Sequence, residues 1–162
     1  MSYRVMLVED HEKVRESLRS LVSNEDWLEI VSEEGDGTTA LRECRRLEPD
    51  IVLTDFSMPG LNGEQLTRGV RSLFPETKVI VVSAQEDRNT ILKMLHAGAS
   101  AYVPKRRVAE ELIGAIKAVV QEKYYLSPAV TKAVMQHQLD NHADCDAEAL
   151  EELTPREREV LR

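Results

Sequence analysis

The sequence is short of cysteine, of long apolar runs and of net positive charge, and each shortage removes a class of function. Two cysteines in 162 residues, Cys44 and Cys145, cannot make a disulfide framework, so a reducing cytoplasm is the expected compartment. No apolar run approaches the roughly 18 residues of a membrane-spanning helix. The opening MSYRVMLVED lacks the charged-then-apolar layout of a signal peptide, which supports the same expectation of a cytoplasmic, non-membrane protein. With 29 acids against 21 lysines and arginines, the net charge of −8 excludes gripping nucleic acid by electrostatics alone. His137, His142 and Cys145 match no zinc-ligand spacing.

What is present is the composition of a globular protein, 42% hydrophobic and 31% charged, enough for one ordinary domain and a modest appendage. Apolar runs alternate with amphipathic stretches. Strands are expected at 3–8, 27–33, 50–55, 78–84 and 101–105, and helices at 11–23, 35–47, 63–74, 88–98 and 109–122. Pro75 closes the third helix, and Gly98 is the expected C-cap of the fourth. Strands three and four are apolar throughout, as when helices cover both faces of a parallel sheet. The fold class is therefore α/β, a doubly wound five-stranded parallel sheet over residues 1–124. A helical and acidic linker at 125–152 follows. In it Ser127 and Pro128 open a helix whose apolar stripe is Val130, Val134 and Leu139, and residues 140–152 hold six acids and no base.

In an open parallel sheet, ligands bind beyond the carboxyl ends of the strands. Here those ends carry Glu9 and Asp10, Asp55, Ser83 with Ala84, and Lys105. Each acid alone reads equally well as a turn former or cap, Asp10 ahead of the helix at His11 for example. Together, with strands one and three adjacent, they form a carboxylate cluster that needs counter-charge. Lys105 supplies one and a hard divalent cation the other; magnesium fits a site of one or two carboxylates that welcomes a phosphoryl oxygen. That set suits phosphoryl transfer, with Asp55 as nucleophile forming an acyl phosphate, Glu9 and Asp10 holding the metal, and Ser83 donating a hydroxyl. The Ser57 carbonyl would be a further metal ligand.

The stretches MLVEDH (6–11), DIVLTDFSMPGLNGEQL (50–66), VIVVSA (79–84) and GASAYVPK (98–105) closely resemble the receiver domain of two-component response regulators. The resemblance implies a flavodoxin-like sheet of order 2-1-3-4-5, with Glu9, Asp10 and Asp55 on magnesium. It further implies phosphorylation of Asp55 by a sensor histidine kinase, and Ser83 and Lys105 on the phosphoryl oxygens. Tyr102 matches the family's switch aromatic, and Ser57 and Gln85 stand where the family tunes hydrolysis. Two positions depart from the pattern: Ser83 replaces the commoner threonine, and Arg106 stands where proline often follows the lysine, with Pro104 before it.

A second resemblance lies in LSPAV (126–130) and LTPREREVLR (153–162), which are similar to the NarL/FixJ subfamily, where a LuxR-type helix-turn-helix domain follows the receiver. It implies a receiver plus linker from a longer transcription factor, with the DNA-binding domain truncated after its first residues and DNA read only through that missing part. On phosphorylation Ser83 would draw toward the phosphoryl group and Tyr102 would rotate inward. The face of helix four, strand five and helix five, bearing Arg88, Lys93, His96, Arg106 and Arg107, would then change, with dimerisation of the chain or release of the DNA-binding domain as the expected outcome and a homodimer as the expected partner state. A phosphohydrolase of the haloacid-dehalogenase type would need a second aspartate at position 57, where serine stands. A receiver reduced to a binding module would lack the acid pair, the nucleophile or the lysine, and all are present.

Overall fold

Successive strand residues point to opposite faces of a sheet, and strands whose residues are apolar at every position must be covered on both. β1 (Tyr3–Val8) sends Val5 and Leu7 into one apolar cluster and Met6 and Val8 into another. β3 (Ile51–Thr54) divides Ile51 and Leu53 from Val52 in the same way. β2 (Leu28–Glu34), β4 (Lys78–Ser83) and β5 (Ala101–Pro104) complete the expected five. The computed structural model describes residues 2–135.

α1 (Glu12–Ser23) and α5 (Val108–Val120) cover the first face through Leu18, Val22, Leu112, Ile116 and Val119. α2 (Gly37–Leu47) and α3 (Gly63–Leu73) cover the second, where Cys44 is completely enclosed. Burial lifts its thiol to about 11, so it acts as a small core residue. α4 (Arg88–Ala97) sits over Val81 and Tyr102. Helix starts carry their own caps: Asp36 accepts from Thr39 N, Asn62 and Gln65 form a reciprocal capping box, and Asp87 accepts from Thr90 N. Gly98 ends α4 in the left-handed region, as expected of the C-cap.

The sheet is parallel with the order β2-β1-β3-β4-β5-β6, so the expected five-strand order holds and a sixth strand extends it. β6 (Tyr125–Leu126) pairs beside β5 through residues that the sequence assigned to the linker. Two residues are too few to show any periodicity, which is why the pattern passed over them. α5 stops two residues before the expected 122, where Glu122 takes a positive φ of 62° and turns the chain back toward the sheet. Residues 128–135 are helical, and Val130 and Val134 are buried as the apolar stripe predicts. Leu139, His137, His142, Cys145 and the 153–162 stretch lie outside the described residues. Among the described residues, no helix is long and apolar enough to cross a membrane.

Candidate functional site

Strand order reverses between β1 and β3, because the chain leaves β1 for β2 on one side and returns to β3 on the other. A crevice therefore opens beyond the carboxyl ends of these two strands. Val8 pairs with Thr54, so the next residues, Glu9 and Asp55, emerge side by side, and Asp55 N donates to Val8 O at 3.2 Å. Ser83 pairs with Pro104, which delivers Lys105 to the same edge.

Lys105 ties the acids together. Its Nζ donates to Asp55 Oδ2 at 2.9 Å and to Glu9 Oε1 at 3.0 Å. Burial alone would depress the ammonium, but the hydrogen bonds and charges of both carboxylates outweigh it and hold its pKa above the ordinary lysine value. Glu9, only 1% exposed, is also raised, which for an acid disfavours the charged form: desolvation raises it, the nearby Asp55 charge adds to the rise, and Lys105 opposes both. Asp55 Oδ1 accepts from Phe56 N at 2.7 Å, which fixes the carboxylate's rotation.

Asp10 is exposed beside this pair, one residue before the His11 N-cap of α1. Carboxylate oxygens of Glu9 and Asp10 and an imidazole nitrogen of His11 lie within 4.8 Å of one another. With Asp55 alongside, the donors are mostly hard oxygens, the chemistry magnesium requires. Ser57 is exposed in the loop two residues past Asp55. Lys105–Arg107 form a single 3-10 turn, and every peptide bond among the described residues is trans, the one before Arg106 included. Arg106 instead makes a two-pronged ion pair with Glu86 at 2.9 and 2.8 Å, tying the loop after β4 to the turn that carries Lys105.

Ser83, Gln85 and Tyr102 form a second group. The Ser83 hydroxyl donates to Gln85 Oε1 at 2.9 Å and accepts from Gln85 N at 3.1 Å. The Tyr102 hydroxyl donates to Gln85 O at 2.7 Å. Tyr102 is fully buried, with its ring directed inward. Desolvation pushes its hydroxyl up to about 12, and a hydrogen bond with Ser83 pulls the other way. Gln85 thus joins the serine beside the acids to the aromatic of β5.

Two supporting residues escaped the sequence reading. Arg15 Nη1 donates to Glu9 O at 2.7 Å, and Arg15 Nε lies 3.7 Å from Glu33 at the end of β2, which Arg19 grips with two hydrogen bonds at 2.8 and 2.7 Å. The end of β2 thus anchors the arginine that steadies the acid loop. The second is Gly63: a side-chain carbon there would stand 2.2 Å from the Asp55 carbonyl oxygen. The only hint in the sequence was a glycine at the first position of a helix already started by Asn62.

Comparison with known proteins agrees on the fold and the family. The family profile for the response regulator receiver domain covers residues 5–117. The uncharacterized transcriptional regulatory protein YhcZ of Bacillus subtilis is 35% identical over 158 residues, 98% of this chain and 73% of its own. The transcriptional regulatory protein DegU of Brevibacillus brevis is 34% identical over 79% of this chain, and the response regulator GacA of Pseudomonas aeruginosa 33% over 80%. The chain spans only 54% and 60% of the lengths of these two. Among solved structures, a LuxR-family two-component response regulator from Aurantimonas is 32% identical with a TM-score of 0.81, covering 86% of this chain and 99% of its own. The isolated receiver domain of RcsB from Salmonella enterica, at 23% identity and TM-score 0.78, shares the fold over 83% of this chain and 99% of its own.

Proposed function

The chain belongs to the response regulator receiver domain family of two-component systems, and on that premise we propose that it accepts a phosphoryl group on Asp55 from a sensor histidine kinase in a magnesium-dependent reaction. The observation that carries this reading is Lys105, whose ammonium bridges the carboxylates of Asp55 and Glu9 at the point where strand order reverses. An Asp55 carboxylate oxygen attacks phosphorus, a P–O bond forms as the P–N bond to the donor histidine breaks, and an acyl phosphate results. Lys105 and the Ser83 hydroxyl neutralise and hold the phosphoryl oxygens. The Phe56 N–H fixes the nucleophile's orientation.

Glu9, Asp10 and Asp55, with the Ser57 carbonyl, would hold magnesium, which when bound neutralises charge on the phosphoryl oxygens. The same domain, rather than a separate enzyme, catalyses both its phosphorylation and its slow return to water, with Ser57 and Gln85 tuning the latter.

Tyr102 is the switch. Re-aiming Ser83 toward a phosphoryl group would alter its bonds to Gln85, and Gln85 also receives the tyrosine hydroxyl. Homodimer formation on phosphorylation and control of DNA by a LuxR-type domain complete the proposal, supported by the resemblance of residues 153–162. A cytoplasmic location belongs with it.

The test is intact-mass spectrometry after incubation with acetyl phosphate, with and without magnesium, on the wild type and Asp55→Asn. One magnesium-dependent phosphoryl adduct, absent from the variant, is the expected result. An adduct that persists in Asp55→Asn would move the nucleophile elsewhere, and no adduct in the wild type would leave a binding module.

A further inference from the structure

Glu111 on α5 is 8% exposed and gathers donors from two separate stretches of the chain. Its Oε1 accepts from the Tyr125 hydroxyl at 2.6 Å, and its Oε2 accepts from the Ser127 hydroxyl at 3.0 Å and from Arg107 Nε at 3.1 Å. A buried carboxylate without partners is costly, so this set of three is a strong local restraint. Tyr125 and Ser127 stand immediately before the helix at 128–135. The carboxylate therefore pins the point from which that helix departs.

From the pin, the helix runs across α4 and β5. Val130 and Val134, one turn apart and 0% and 2% exposed, join Tyr102, Ile91, Met94 and Leu95 in one cluster, with Leu126 and Ala133 packed against it. The aromatic of β5 thus shares one apolar cluster with residues of α4 and of this helix. Met135, at 56% exposure, marks the outer face of the same helix.

We propose that the α4–β5 face is the docking surface of the chain's own residues 125–135, and that docking there and phosphoryl occupancy of Asp55 reinforce each other. The inference rests on the reading of Asp55 as phosphoacceptor and Tyr102 as switch. The physical reason is volume. A packed interior leaves no void into which a tyrosine ring can swing, so an outward Tyr102 must displace Val130 and Val134 and lift the strap. An inward Tyr102 instead provides the apolar floor on which those valines rest. A phosphoryl group that draws Ser83 and favours the inward ring therefore favours the seated strap, and coupling of two binding equilibria acts equally in both directions.

The experiment uses the whole chain with magnesium and beryllofluoride, a phosphoryl mimic. Hydrogen exchange is followed by mass spectrometry, and beryllofluoride affinity by calorimetry, for wild type, Val130→Ala/Val134→Ala and Glu111→Gln. In the wild type, amides of 129–135 should exchange more slowly with the ligand, by on the order of 5-fold or more. Both variants should bind beryllofluoride more weakly, and by reciprocity the double variant's loss should match the wild type's gain in protection. Tight beryllofluoride binding with unchanged exchange of 129–135 and unchanged affinity in both variants would overturn the coupling while leaving the phosphoacceptor reading intact. A wild type that binds no beryllofluoride would overturn both. The wild-type exchange measurement decides the matter even if a variant fails to fold.

Discussion

Gly63 and Asp55 are in direct backbone contact: a side-chain carbon on Gly63 would lie 2.2 Å from the Asp55 carbonyl oxygen and 2.8 Å from Phe56 Cα. Gly63 N also donates to Phe56 O at 2.7 Å, so the first residue of α3 is seated against the main chain that bears Asp55, the proposed phosphoacceptor. In Gly63→Ala the helix or the loop must move. The expected cost is about 1–3 kcal/mol by urea unfolding, as for other overpacked sites, together with slower formation of the phosphoryl adduct. Wild-type stability and rate in this variant would show that the contact does not seat Asp55.

Lys105→Ala leaves two buried carboxylates facing each other without their shared cation. With the lysine side chain 21% exposed, water softens the loss, and a destabilisation of about 1–3 kcal/mol is expected. If magnesium takes the proposed site among these acids, it should raise the melting temperature of the variant more than that of the wild type. Equal shifts in thermal melts would refute competition between ammonium and metal for the same carboxylates.

Arg15 holds the Glu9 carbonyl and on the proposed reading supports the magnesium site without being a ligand. Arg15→Met keeps the apolar stem and removes the donor. Magnesium affinity, read by calorimetry, should fall about 10- to 100-fold, the usual effect of losing an outer support, while urea stability changes much less. Arg15→Lys should recover part of the affinity. A loss of stability that accounts for the whole effect would make Arg15 merely structural.

Glu111 gives the strap a pH dependence with a defined sign. Burial pushes its carboxyl up, but hydrogen bonds from Tyr125, Arg107 and Ser127 outweigh it and hold the group below the ordinary 4.5 of a glutamate. The folded state then takes this proton less readily than the unfolded one. The stabilisation is complete above pH 4.5 and disappears as pH falls through the depressed value. Wild type should lose stability on acidification more steeply than Glu111→Gln in this window, measured by urea unfolding from pH 6 downward. Parallel curves would remove Glu111 from the account.

Much of the site was legible because it sits at strand ends. A run such as IVLT announces a strand by its apolar, β-branched residues, and the polar residue that stops the run must emerge at the sheet's edge; Glu9, Asp55, Ser83 and Lys105 were all found this way. Tyr102 was legible only by its distance from Lys105 in a familiar pattern. Arg15 was not legible, since an arginine on an amphipathic helix looks like any solvated charge until the fold shows a carbonyl beneath it. Gln85 was placed by spacing, but its double role, side chain and N–H to Ser83 and carbonyl to Tyr102, depends on how the loop after β4 folds back.

The sequence by itself determined the alternation of strands and helices and which residues end each strand, because both follow from local periodicity and chain direction. Only the tertiary structure decided that Lys105 serves Glu9 and Asp55 at once, that Arg106 pairs with Glu86, and that Glu111 pins residues 125–127 so that Val130 and Val134 cover Tyr102. These contacts join segments far apart in the chain. Their choice of partner depends on strand order, register and packed volume, and no short stretch of sequence encodes those three quantities alone.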